Sequence, residues 1–130
     1  MTNKEVKTLA IEKVKAIINL LAAKDYKGLA KVTNISSSWI DEGKTSEDGC
    51  IEFGEWLDEQ LNLWAEDEGK EFVIDTFEEA CIEDLDEFEV DEDGEAFVTY
   101  NPTSHGEELD FWFEIEIDVK KEESTFDVNS

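Results

Sequence analysis

At Glu71 the hydrophobic period of the chain changes from 3.6 to 2, and this change constrains the fold more than any other feature. Before it, Val6, Leu9, Ala10, Val14, Ile17, Ile18 and Leu21 recur at three and four, the spacing of an amphipathic helix with its lysines outward. Lys24-Asp25 breaks the pattern. Asp25 can N-cap a short second helix with Tyr26, Leu29, Ala30 and Val32 on its apolar side. Residues 33–49 are rich in Ser, Asp, Glu and Gly and read as a long loop, with Trp39 tucked into the core or over a cavity mouth. A third helix is predicted over 50–67. Phe53, Leu57, Leu61 and Trp64 form its inward stripe, Trp56 and Leu63 widen one edge, and Gly69 stops it.

After Glu71 the pattern alternates. Residues 72–74 read as a first strand, 80–90 as a second, 95–101 as its return and 109–120 as the longest. Asp91-Glu92-Asp93-Gly94 supplies a hairpin turn, and Asn101 to Gly106 a second one. Residues 125–128 close the sheet as an edge strand. In the long strand Phe111, Phe113, Ile115, Ile117 and Val119 fall on one side. Asp110, Trp112, Glu114, Glu116 and Asp118 fall on the other. Helices followed by a run of antiparallel strands, without linker or repeat, predict a single α+β domain over residues 1–130. Its N-terminal helices would pack on one face of a curved antiparallel sheet.

Charge narrows the function. The chain has 36 Asp and Glu against 11 Lys and Arg, a formal net charge of −25. Every base is Lys, so bidentate guanidinium recognition of anions is excluded. Seven lysines against Glu5, Glu12 and Asp25 leave residues 1–31 at +4, and the remaining 99 residues at −29. Such a surface does not hold nucleic acid or an anionic membrane. Fourteen aromatics argue against disorder despite the charge. The apolar stretch 16–23 is too short to span a bilayer, is broken by Asn19 and carries no secretory pattern, so a cytoplasmic setting is expected.

Two stretches resemble the cystatin-like/NTF2-like superfamily of cone-shaped α+β domains. Leu20-Leu-Ala-Ala-Lys-Asp-Tyr-Lys-Gly-Leu29 is similar to the family's junction between its first two helices. Ile82-Glu-Asp-Leu-Asp-Glu-Phe-Glu-Val-Asp-Glu-Asp-Gly-Glu-Ala-Phe-Val-Thr-Tyr100 is similar to its central hairpin. The resemblance covers most of residues 5–128. It implies a curved sheet wrapped around the long helix with a cavity between them. Members include isomerases, dehydratases, ligand carriers, assembly domains and immunity proteins that neutralise toxins. Fold alone does not choose among them, and no short motif carries a catalytic residue over to a numbered position.

Site chemistry is sparse. An EF-hand aligned on Gly94 would end at Tyr100, where a bidentate Glu is required, so no metal is assigned. His105, the only histidine, lies in a turn with no nucleophile at a diagnostic spacing. Cys50 and Cys81 are isolated and read as packed thiols. No catalytic residue and no cofactor are expected. Trp39, Phe53, Trp56, Trp64, Phe111 and Phe113 either pack as core or line a pocket for a small apolar ligand, in a binder or cryptic enzyme.

The outward row of the long strand is the leading candidate. Asp110, Trp112, Glu114, Glu116 and Asp118 project together, and Glu87, Glu89 and Asp127 can join them from neighbouring strands. Like charges across strands disfavour the sheet by up to ~1 kcal/mol per pair. Either this is a solvated, aggregation-resistant face, or it docks a basic protein such as a toxin, with Trp112 inside a ring of charge. A homodimer through the same face is the other partner it could take.

Overall fold

The structure, a computed structural model, describes residues 2–36, 39–40, 44–83 and 93–129. Helix α1, Asn3–Ala22, starts at Thr2, whose hydroxyl accepts from Glu5 N at 3.2 Å. It buries one stripe: Val6, Ala10, Val14, Ile17, Ile18 and Leu21. Lys24, at φ 58°, turns the chain into α2, Tyr26–Val32, where the Asp25 carboxylate accepts from Gly28 N at 2.9 Å. Helix α3, Ser46–Glu68, begins four residues earlier than its apolar pattern. The cause is a reciprocal cap: Asp48 N donates to Thr45 Oγ1 at 3.2 Å, and Thr45 N donates to Asp48 Oδ2 at 3.1 Å. It ends at Gly69, φ 68°.

Between α2 and α3 lies a two-residue strand, β1, Asn34–Ile35. The later strands are β2, Glu95–Tyr100; β3, Thr103–Ser104; β4, Glu107–Glu108; β5, Trp112–Asp118; and β6, Glu123–Asn129. The main sheet runs β1-β6-β5-β2, and β3 and β4 form a separate small hairpin. β2, β5 and β6 are antiparallel, but β1 pairs with β6 in parallel, Asn34 opposite Thr125 and Ile35 opposite Phe126. The wholly antiparallel expectation is therefore corrected to a mixed sheet, still α+β with the N-terminal helices on one face. For the same reason β6 is an interior strand over Thr125 and Phe126, not the predicted edge.

Two further expectations change. Residues 72–74 do not join a sheet ladder. Their stretch is tied down individually instead: Val73 N donates to Ser104 Oγ at 2.9 Å, Asp75 N to Thr103 O at 2.9 Å and Phe77 N to Asn19 Oδ1 at 2.9 Å. Of the predicted strand 80–90, the described part is a single 3-10 turn, Glu79–Cys81, and a bridge from Ile82 to Tyr100. Residues 84–92, with part of the predicted turn, lie outside the described residues. The turn over Asn101 to Gly106 folds into the β3–β4 hairpin. His105 (φ 49°) and Gly106 (φ 82°) take left-handed conformations at its tip.

The core lies between helices and sheet, around Phe53 of α3. Its ring meets Phe126 at 5.1 Å, Trp39 at 5.3 Å and Phe113 at 6.2 Å between centroids, all edge to face. Tyr26 lies flat on α3, where a Cβ on Gly54 would stand 2.2 Å from its ring carbon Cδ2, so only glycine admits the packing. Its hydroxyl donates to Asp58 Oδ1 at 3.0 Å. Burial first, then the Asp58 charge and hydrogen bond, push the phenol well above its ordinary value. At the far side, buried Ser124 Oγ and Thr33 Oγ1 pair at 2.7 Å, joining β6 to the end of α2.

Candidate functional site: the outer face of the sheet

The pleat sends alternate residues of β2, β5 and β6 away from the helices, and the register aligns them in rows across the strands. One row, beside the β5–β6 turn, is Glu95, Asp118 and Glu123. The next is Phe97, Glu116 and Thr125. The third is Thr99, Glu114 and Asp127, and Trp112 stands opposite Asn129 beyond it. Six carboxylates thus share a three-stranded surface. Between the first two rows lies an open concavity of about 630 Å³, with Lys121 on its rim.

The carboxylates are not equivalent. Glu114 Oε1 accepts from Trp112 Nε1 at 3.1 Å and from Asn129 Nδ2 at 3.2 Å. Asp127 Oδ1 accepts from Val128 N at 2.8 Å and from Trp39 Nε1 at 3.3 Å. Asp118 Oδ1 accepts from Lys121 N at 3.0 Å, which shapes the β5–β6 turn. Glu116 is exposed and makes no ion pair among the described residues. Trp112 is half-buried, with its indole N–H committed to Glu114. The exposed aromatic of this face is Phe97, 53% accessible.

The structure therefore brings Trp112, Glu114, Glu116 and Asp118 together. Asp110 stands apart: it lies one bend before β5 and lines a groove with Trp64, Lys70 and Glu107. Glu87 and Glu89 lie outside the described residues. Phe97, Glu95 and Glu123 were not singled out from the sequence. Alternation alone sets Phe97 on the side of β2 opposite Ala96, Val98 and Tyr100, and it is the burial of those three in the structure that makes its side the outer one.

The pocket candidates form one chain of ring contacts. Trp39 meets Trp56 at 5.7 Å, Trp56 meets Phe111 at 6.5 Å, Phe111 meets Phe113 at 5.5 Å and Trp64 at 5.7 Å. Phe53, Phe111 and Phe113 are buried, so these rings occupy the layer between α3 and the sheet.

Asp75 holds the β3–β4 hairpin: Oδ2 accepts from Thr103 Oγ1 at 2.7 Å and Gly106 N at 2.9 Å, and Oδ1 from His105 N at 3.0 Å. Burial works to raise this carboxyl, but the hydrogen bonds from Gly106, Thr103 and His105, with the His105 ring, outweigh it and hold it below its ordinary value. His105 is exposed, its Nε2 3.5 Å from Glu71 Oε1. Burial pushes the Cys50 thiol up to about 11 against a lowering contact from Ser46, and burial also raises Cys81, so neither is a ready thiolate. Among the described residues no group of three or more His, Cys, Asp or Glu side chains could hold a metal ion, and no helix is long and apolar enough to cross a membrane. Compared with known proteins, the chain matches no family model, no curated protein and no solved structure.

Proposed function

We propose that the chain is a non-enzymatic protein-binding domain that captures a basic partner through the outer face of its sheet. Its most concrete form is a cytoplasmic immunity-type protein of cystatin/NTF2-like shape whose partner is a basic toxin. The carrying observation is the alignment of Glu95, Asp118 and Glu123 in one row and Glu114 and Asp127 in another, with exposed Glu116 between them. A sheet built for stability alone gains nothing from facing carboxylates, whereas a cationic surface meeting them is steered inward and oriented.

Two features favour this reading over its rivals. The aromatic rings occupy the layer between α3 and the sheet, where an apolar ligand would sit. A homodimer formed by apposing two such faces would set carboxylates against carboxylates. The test is capture of partners from the source organism at low and high salt, followed by kinetics with the purified partner. Glu114→Gln with Glu116→Gln should slow association and leave dissociation nearly unchanged, because the steering field weakens while the contact shape is kept. An unchanged association rate would refute docking through this face.

A further inference from the structure

The row between the two carboxylate rows is different in kind. It contains Phe97, Glu116 and Thr125, so one side chain of its three is charged, and its aromatic is 53% exposed. Phe97 has Glu95 and Thr99 as its outward neighbours on β2, and the rows on either side stand roughly 7 Å from it, two residues along each strand. The face is thus a lane with an apolar end, bordered by anionic rows, and the concavity lies along one border.

We propose that this lane seats a lysine- or arginine-rich amphipathic helix of the partner, with its apolar edge on Phe97 and its cations on the two rows. This rests on the basic-partner reading above and specifies the partner's binding element. Dimensions favour a helix. A helix is roughly 10–12 Å across with its side chains, a little less than the roughly 14 Å between the two bordering rows, so it fits along the lane with a carboxylate row flanking it on each side. β5 is hydrogen-bonded on both sides, so the centre of the face offers side chains and no free backbone to an incoming strand. Charge selects a cationic helix, since Glu95, Asp118 and Glu123 border one side and Glu114 and Asp127 the other. The apolar edge is specified because Phe97 is the large apolar side chain most exposed on this face, and a partner's apolar side chains would remove its ring from water.

The experiment uses three synthetic probes: a leucine/lysine peptide of about 14 residues with its leucines on one helical face, the same composition scrambled so that no apolar face forms, and an oligolysine of equal charge. Calorimetry gives affinities, and amide chemical shifts of the protein map the contact. The amphipathic probe should bind about tenfold or more tighter than the scrambled one, with shifts centred on Phe97, Glu116 and Thr125. Phe97→Ser should remove that advantage while leaving oligolysine binding unchanged and the fold intact by circular dichroism. Equal affinities for all three probes, or an advantage that survives Phe97→Ser, would overturn the helix proposal and leave the basic-partner reading standing. Shifts centred instead on Leu9 or Leu63, the other exposed large apolar residues, would also overturn it. Absence of binding by every probe at low salt would remove both.

Discussion

Glu114 and Asp127 face each other across β5 and β6, and each carboxylate is held by a tryptophan indole N–H, Trp112 for Glu114 and Trp39 for Asp127. Two like charges in register repel, and the donors draw charge away from the gap between them. A double-mutant cycle with Glu114→Gln and Asp127→Asn should report repulsive coupling of about 0.5 kcal/mol at low salt that fades as salt is raised. Attractive coupling at any salt would mean that the pair shares a proton or a cation.

Trp112→Phe separates ring from donor. It keeps most of the packing and removes the N–H on Glu114, so stability should fall by about 1 kcal/mol, the scale of one partly exposed hydrogen bond to a charge. Chemical denaturation measures it. A loss as large as that of a core deletion would place the indole ring, not its N–H, at the centre of its role.

Phe113→Ala should cost about 3–5 kcal/mol whatever the protein binds. Its ring lies fully buried between Phe53 and Phe111, and the cavity left would open on both. A loss below 1 kcal/mol would require that the aromatic layer collapse freely into the gap.

Gly54→Ala tests the close approach of α2 to α3. Alanine gains about 1 kcal/mol in helix propensity. Against it stand an overlap with the Tyr26 ring, costing about 1–3 kcal/mol, and loss of the Tyr26–Asp58 hydrogen bond, about 1 kcal/mol. The net should be a destabilisation of about 2 kcal/mol, seen as a lower melting temperature. A stabilised variant would show that α2 can move aside.

Asp75→Asn probes the hairpin and its pH dependence. The folded carboxyl lies below its ordinary value of 3.8, so its contribution is present above that value and is lost as pH falls through the lowered folded one. The wild-type advantage over Asp75→Asn should therefore be present above the ordinary carboxylate value and shrink as pH falls below it. An advantage that grows on acidification would contradict the hydrogen bonding described here.

The elements legible in the sequence are those that carry their own period. The stripe from Val6 to Leu21 and the alternation from Phe111 to Asp118 each repeat often enough to name a structure and a face. What was not legible depends on distant partners. Asn34–Ile35 is a strand only because Thr125 and Phe126 lie beside it. Residues 72–74 are apolar enough for a strand, yet the donors of Val73 and Asp75 go to the Ser104 hydroxyl and the Thr103 carbonyl, in the first strand of the β3–β4 hairpin. The start of α3 was hidden because Ser46 to Gly49 reads as loop, although Thr45 and Asp48 had the cap spacing. For the candidate face, the outward row of β5 was readable. Its lateral neighbours Glu95, Phe97 and Glu123 depend on register, which pairing sets and composition does not.

The bond between Ser124 and Thr33 spans 91 positions, and the pairing of β1 with β6 beside it closes a loop of similar size. β6 is the last described strand to leave the ribosome, yet it joins the N-terminal segment to β5. Until it arrives, Phe53 lacks the ring of Phe126, and the apolar sides of three finished helices have an incomplete surface to cover them. Contacts this distant make for slow folding. A growing chain therefore completes this core only after synthesis has passed Phe126, and until then the apolar sides of its helices are only partly covered.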